Sequence, residues 1–379
     1  MREATAPRPL SVLVDARGLH LSGIGRYLRE VLLRLLQDER FGRFRMLGDP
    51  AQLEAFARGA GASGRVEILA ASPSFYGPGV HARMAYLSMR GALRADVAFF
   101  PHYDVPPVGP LPPLVLTVHD LSHFVLRDLF PAHKRALAWR LMRRAVGRAR
   151  IVMTDAESTR RDLLERIPTA GARVRVVPLG VGDSFVQPSP ASLAAPYLLC
   201  VGNRKPHKNL VGAVEVFARL RPSHPGLRLV LVGPSYADGD PVRRLAEERG
   251  VGSAVEDLGA VSDERLQALY AGAACFVFPS RYEGFGLPVL EAMAAGAPVV
   301  ASDRASVPEV VGDAGLLADP DDPGAFAAAV ERVLTDAALR ETLIARGRER
   351  AAKFTWEAAA TEVAAALVEA AGGAESPAR

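Results

Sequence analysis

The sequence predicts an α/β protein made of two doubly wound layers, each a mainly parallel sheet with helices on both faces. Three observations carry this. Short apolar runs of strand length alternate with helical segments along most of the chain. The alternation stops once, between Gly182 and Pro196, and then begins again. A chain of 379 residues also exceeds what one ordinary core accommodates.

Leu10-Ser11-Val12-Leu13-Val14-Asp15 reads as the first strand, followed by a loop from Gly18 to Gly25. A helix is expected from about Arg26 to Leu36, because Tyr27, Leu28, Val31, Leu32 and Leu35 recur at helical spacing. Further strands are expected at Phe44–Leu47, Val66–Leu69, Val97–Phe100, Leu114–Val118, Ile151–Thr154 and Val174–Val177, most of them separated by helical segments. Gly182, Pro188, Ser189, Pro190, Ser192 and Pro196 then mark a linker. Beyond it, strands are expected at Tyr197–Val201, Leu229–Val232, Val255–Leu258, Cys275–Phe278 and Val299–Ala301. From Asp322 to about Gly372 the chain reads as alanine-rich helix with breaks near Thr335 and Thr355.

Composition narrows the function classes. With 49% hydrophobic and 23% charged residues, the balance is that of a globular enzyme and excludes a disordered or fibrous chain. The first nine residues lack the apolar core of a signal peptide, and no apolar stretch has the length of a membrane span, so a cytosolic protein is expected. Cys200 and Cys275 each sit inside an apolar run, which reads as two buried free thiols, and nothing has the spacing of a zinc site. The net charge of +4 hides an asymmetry. Residues 1–190 hold 27 Lys and Arg against 17 Asp and Glu, whereas residues 191–379 hold 19 against 25.

Ligands of doubly wound sheets bind beyond the carboxyl ends of the strands, so the candidate residues should follow strands. Gly202-Asn203-Arg204-Lys205-Pro206-His207-Lys208-Asn209-Leu210 follows the first strand of the second half and packs three cations before a helix start, where charge and free N–H groups favour phosphate. A solvated basic turn reads the same way. Ser280 to Glu291 follows another strand, with Glu283 and Glu291 flanking the flexible Gly284 and Gly286. Carboxylates do not bind phosphate, but they accept hydrogen bonds from sugar or ribose hydroxyls. The bland alternative is a loop cap and an exposed helix residue. In the first half, the loop around Gly23 and Gly25 lets a ligand approach the backbone, although Leu28 stands where the dinucleotide fingerprint needs its third glycine. That absence also disfavours an NAD-dependent oxidoreductase. His119 and Asp120 close a strand, as does Pro101-His102-Tyr103-Asp104, so His119 is a candidate donor to a substrate oxygen, against the alternative of a structural histidine. Ala132 to Arg148 reads as a basic helix suited either to solvent or to an anionic surface, and its pattern does not suggest nucleic acid.

Together these blocks resemble glycosyltransferase family 4, retaining enzymes of GT-B architecture. The most specific part is Phe278-Pro279-Ser280 through Glu291, continuing into Gly296 to Asp303 and Pro308 to Gly312, which is similar to the family's Glu-x7-Glu signature. The Gly202–Leu210 block, Ser22 to Tyr27, Thr117 to Leu121 and Phe354-Thr355-Trp356-Glu357 fit further family blocks. The family often has Asp after Pro178-Leu179-Gly180-Val181, where this chain has Gly182 before Asp183. The resemblance implies two Rossmann-like domains facing across a cleft: residues 1–187 for the acceptor, 188–356 for the nucleotide-sugar, and 357–379 as a helix crossing back to the first domain.

It also implies roles. Glu291 would bind the ribose hydroxyls and Glu283 the donor sugar, while Arg204 and Lys208 would hold the diphosphate and stabilise it as it leaves, without a metal or other cofactor. Gly202 and the backbone at Gly284, Phe285, Gly286 and Leu287 would complete the nucleotide-sugar site, and Gly23, Gly25, His119 and Asp120 would shape the donor-sugar and acceptor side. The block's wording is similar to that of bacterial mannosyltransferase-like members in polysaccharide or glycolipid assembly, which favours GDP-mannose over UDP-, ADP- or dTDP-sugars. The expected reaction is retaining transfer of a hexose to a glycan, lipid-linked or small-molecule acceptor, with acceptor choice in loops such as Ser72 to His81. The alternatives are a GT-B epimerase or phosphorylase, or a non-catalytic GT-B scaffold. For the basic first domain an ordinary solvated face is the favoured reading, with peripheral contact at the inner face of an anionic membrane as the alternative.

Overall fold

Apolar runs without polar alternation are suited to strands covered on both faces. The computed structural model describes residues 8–21, 23–72, 78–186, 189, 195–234 and 240–372, and in it these runs form two sheets. The chain divides into one unit of residues 1–179 with 356–379, and another of residues 180–355.

In the first unit, β1 (Leu10–Asp15), β2 (Phe41–Gly48), β3 (Val66–Ala70), β4 (Val97–Phe100), β5 (Leu114–Val118), β6 (Ala149–Thr154) and β7 (Val174–Val176) form one sheet in the order β3-β2-β1-β4-β5-β6-β7. All its pairings are parallel. The central strands are sealed: every residue of β4 and β5 is buried. The order reverses between β1 and β4, where Val12 to Val14 lie beside Val97 to Phe99, and this reversal is the place where a doubly wound sheet opens a crevice at its carboxyl edge.

The second unit repeats the plan. Its strands β8 (Tyr197–Val201), β9 (Arg228–Val232), β10 (Val255–Asp257), β11 (Cys275–Phe278), β12 (Val299–Ser302) and β13 (Leu316–Ala318) run in the order β10-β9-β8-β11-β12-β13. The reversal falls between β8 and β11, with Leu198 beside Cys275. The loops after these two strands are the two motif-bearing loops of the sequence. Both cysteines lie in this core as free buried thiols, and burial pushes Cys200 up to about 12.

Two elements escape sequence reading, the edge strand β13 and the short helix Val307–Val311. Three residues of Leu-Leu-Ala carry no period-two signal, and five helical residues carry little of the 3.6 period. The first helix also starts earlier than expected and spans Gly23–Leu35, so Gly23 and Gly25 occupy its opening turn and not a loop ahead of it. Ser22, residues 73–77 of the Ser72–His81 stretch, and residues 187, 188 and 190–194 of the linker lie outside the described residues.

The final helix, Trp356–Gly372, belongs to the first unit. Trp356 is buried with its ring 6.4 Å from that of Tyr27. Arg34 pairs with Glu357 at the start of the helix, and Arg175 pairs with Glu369 near its end at 2.5 Å. The second unit's ends are held together as well: Val181 N–H donates to the Phe354 carbonyl at 3.1 Å.

Gly233, which follows β9, has φ +135, and a Cβ there would stand 2.1 Å from the Gly202 carbonyl oxygen. Gly233→Ala therefore has to displace the loop that carries Arg204 and Lys208. We expect a loss of about 1–3 kcal/mol in urea unfolding at unchanged m-value. A loss below about 0.5 kcal/mol, the level of an ordinary surface change, would show that this approach is not needed.

Candidate active site

The second unit gathers one cluster at its carboxyl edge. After β8, the chain makes a single 3-10 turn over Pro206–Lys208 and reaches Asn209 in the left-handed conformation, φ 53 and ψ 41, which asparagine tolerates better than most side chains. The Asn209 carboxamide caps the helix Leu210–Leu220 by accepting from the Gly212 N–H at 3.3 Å, and it donates to the Pro320 carbonyl at 2.8 Å. That cap fixes where Lys208 emerges. After β11, Gly286 adopts φ 110 to start the helix Leu287–Ala295, whose first turn no side chain caps. Its N–H groups have the orientation that favours an anion.

The two loops are tied to each other. The Arg281 N–H donates to the His207 carbonyl at 2.7 Å, and the Ser280 hydroxyl donates to the same oxygen at 3.1 Å. Ser306, beyond β12, places its buried hydroxyl 2.9 Å from both the Glu283 and Phe285 carbonyls and so clamps the turn. Ala305 before it is held at φ 55, a strained conformation for alanine.

Within this frame Lys208 Nζ lies 2.7 and 2.8 Å from the two Glu283 carboxylate oxygens, and 5.7 Å from the centroid of the Phe278 ring. Arg204 is buried, with Nη2 2.5 Å from Asp257 Oδ2 at the end of β10. Glu291 is 5% exposed and accepts from the Tyr270 hydroxyl at 3.1 Å, so it is an interior carboxylate and not an exposed helix residue. Arg204 and Lys208 thus each meet a carboxylate, and the cluster can hold both a negatively charged group and hydroxyls. Gly202, Gly284, Phe285, Gly286 and Leu287 supply the backbone around it.

The first unit has its own polar edge. His119 follows β5, and its Nδ1 lies 2.7 Å from Asp155 Oδ2, which follows β6. Burial is the strongest single influence on His119 and acts to lower its pKa, but the Asp155 carboxylate, Asp120 and the Pro101 carbonyl together turn the net direction upward. Asp120 is held locally, its Oδ1 accepting from the Ser122 N–H at 2.8 Å. Burial would raise its pKa, and the Ser122 hydrogen bonds together with the nearby histidines hold it low. The glycines behave differently from each other. A Cβ on Gly25 would stand 2.6 Å from the Leu19 carbonyl, so Gly25 serves internal packing, whereas a Cβ on Gly23 would meet open space.

At the carboxyl ends of β1 and β4 lies a buried ion cluster that the sequence reading did not assemble. Arg17 donates to Asp15 through Nε at 2.8 Å and Nη2 at 2.7 Å, and to Asp104 Oδ2 through Nη1 at 3.2 Å. His81 Nε2 lies 2.6 Å from Asp104 Oδ1. The signal that could have found Asp15 and Asp155 is that each directly ends or follows a predicted strand, the same criterion that found His119.

The profile for Glycosyltransferase Family 4 matches residues 22–185, and that for Glycosyl transferases group 1 matches residues 184–350. The O-antigen chain mannosyltransferase B of Escherichia coli is 34% identical over 260 residues, covering 65% of this chain and 68% of that one. The chain belongs to glycosyltransferase family 4. The MMP alpha-(1->4)-mannosyltransferase of Mycolicibacterium hassiacum is 33% identical over 269 residues, 67% of this chain and 64% of that protein. Among solved structures, Anabaena HepE in complex with UDP-glucose superposes with a TM-score of 0.72 at 18% identity, covering 95% of this glycosyltransferase and all of that chain. The two Rossmann-like units are those of the GT-B fold. No helix among the described residues of this glycosyltransferase is long and apolar enough to cross a membrane.

His102, after β4, carries a pH signature. Burial lowers its pKa to about 4, and its Nδ1 accepts from the Asp104 N–H at 3.2 Å. The unfolded chain takes this proton near the ordinary value of about 6.5, before the folded chain does. Stability from the neutral ring is therefore complete above about 6.5 and is lost as pH falls toward about 4. His102→Asn keeps the acceptor and has no proton to take. Its stability deficit against wild type should shrink by about 1–3 kcal/mol between pH 7 and pH 4, read from urea unfolding at each pH; a constant deficit would contradict the assignment.

Proposed function

We propose that this glycosyltransferase moves a hexose, with mannose from GDP-mannose as the favoured donor, onto a glycan, lipid-linked or small-molecule acceptor with retention at the anomeric carbon. The observation that supports it best is the pairing of Lys208 with Glu283 at the carboxyl edge of the second sheet, beside a buried Glu291. In this reading the diphosphate draws on Lys208 and Arg204, and the developing negative charge of the leaving group is stabilised by those cations and the N–H groups opening the helix Leu287–Ala295. No metal is needed for that role. Glu283 then turns to the transferred sugar and Glu291 to the ribose hydroxyls. Gly202 and the backbone from Gly284 to Leu287 line the donor. His119, with Asp120 and the helix start at Gly23 and Gly25, serves the acceptor and donor-sugar side. Mannose is favoured because both curated relatives above are mannosyltransferases, while the HepE complex holds UDP-glucose, so UDP is the first competitor to test.

The basic face is read as a peripheral contact with an anionic membrane, in a protein kept in the cytoplasm. Val125, Leu129 and Leu137 are exposed apolar side chains beside Arg127, Arg135 and Trp139, which line a cavity of about 510 Å³. Such a mixture of exposed apolar and cationic groups suits a lipid surface.

Two tests follow. In a thermal-shift panel of GDP, UDP, ADP and dTDP, GDP should give the largest stabilisation, and Glu283→Ala or Lys208→Ala should cut transfer by more than about a hundredfold in a protein that still folds; full activity in both variants sinks the assignment. In co-sedimentation with liposomes, the protein should pellet with vesicles containing anionic lipid and stay in solution with zwitterionic ones. Replacing Arg127 and Arg135 by Gln should abolish the difference.

A further inference from the structure

We propose that Asp155 is the positioning residue for His119, fixing the ring so that Nδ1–H is committed to the protein and Nε2–H remains as the donor to a substrate oxygen. The proposal rests on the reading of His119 as part of the glycosyl-transfer site, and it adds a residue that this reading does not contain.

The pairing is dictated by sheet register. β5 and β6 run parallel with Val118 beside Thr154, so the next residues, His119 and Asp155, leave neighbouring strands side by side on the edge where doubly wound sheets bind ligands. Nδ1 and Oδ2 stand 2.7 Å apart. The Asp155 side chain is 4% exposed, so the bond is shielded from competing water. The ring plane is fixed independently. Tyr27, from the helix Gly23–Leu35, meets the imidazole nearly edge-on at 4.8 Å and 81°, and its own hydroxyl is anchored 3.2 Å from Thr117 Oγ1. With one nitrogen bonded and the plane set, the direction of Nε2 is determined.

Nε2 itself is buried and completes no hydrogen bond. The nearby Pro101 carbonyl favours a protonated ring without closing a bond of good geometry to that nitrogen. A buried polar atom left unmatched is costly, and such atoms concentrate where a ligand completes the set. The charges around the ring decide its protonation. Asp155 from the end of β6 and Asp120 next in the chain both favour the imidazolium, against burial, which also pushes Asp155 itself upward while His119 draws it down. Across from them, His102 after β4 is kept neutral by its own burial, and the Tyr27 phenol is pushed upward, so neither adds a competing charge. A cationic ring with Nδ1 held by a carboxylate is a donor at Nε2 and not a base. The oxygen that suits it is a sugar hydroxyl or a phosphoryl oxygen.

The test uses the full chain labelled with 15N-histidine, with the His119 signals assigned by their loss in His119→Asn. In wild type, both His119 nitrogens should read as protonated at pH 7, with a titration midpoint above the ordinary histidine range. In Asp155→Asn the midpoint should fall by about one pH unit or more, and Asp155→Glu should restore most of it. In parallel, the high-pH limb of kcat/KM should move to lower pH in Asp155→Asn by the same amount, with kcat reduced about tenfold and KM for the nucleotide-sugar changed far less. A His119 midpoint at or below the ordinary range in wild type, or one that Asp155→Asn leaves in place, overturns the proposal; the wild-type titration decides even if that variant does not fold. A midpoint that falls while the pH–rate limb stays fixed leaves the Asp155 pairing standing and removes His119 from the reaction, which is how failure of the underlying reading is told apart.

Discussion

Parallel pairing is the constraint on which the rest depends. Every strand of both sheets points the same way within its sheet, so every carboxyl end arrives at one edge and every following loop opens there. The central strands are apolar and sealed, which leaves polar chemistry there to residues at or just beyond their ends. Asp15, Asp104, His119 and Asp155 in one unit, and Arg204, Lys208, Glu283 and Ser306 in the other, are where they are because a strand has just ended. The polar edge is a by-product of the topology before it is a site.

Taking charges to such an edge has a cost that the chain meets by pairing. Arg17 is buried with Asp15 and Asp104, and removing one member of a buried ionic group of this kind costs about 3–5 kcal/mol because the partner stays behind uncompensated. Lys208 and Arg204 are treated alike, each held by one carboxylate. The second unit therefore carries its cations in a form that is stable without a ligand. In the proposed donor site a diphosphate would exchange partners with them and would not have to order loose side chains, so less conformational entropy would be lost on binding.

Most of the fold was legible because buried parallel strands write themselves as unbroken apolar runs, and the two motif loops were legible because glycine, cations and glutamates crowd directly behind two of those runs. What escaped was non-local. Asp155 lies 36 residues from His119, and only the register of β5 against β6 brings them together. The Tyr270 hydroxyl reaches Glu291 across 21 residues, and Asp257 reaches Arg204 from a different strand end. Arg17 looked like an ordinary residue before a glycine loop, since nothing local distinguishes a buried guanidinium from a solvated one. Gly25 carries a further constraint that nothing local reveals: the helix backbone needs a glycine there to pass the Leu19 carbonyl.

The chain leaves the first unit at residue 179 and re-enters it at residue 356, so the second unit is continuous in sequence while the first is not. During synthesis the whole of the second sheet is available before the helix Trp356–Gly372 exists. Until that helix arrives, the groove that receives Trp356 and the side chains Arg34 and Arg175 have no partner from it. The half that is translated first is thus the half that finishes last, and its apolar flank stays open to chaperones, or to aggregation, for the time needed to make the 176 residues between.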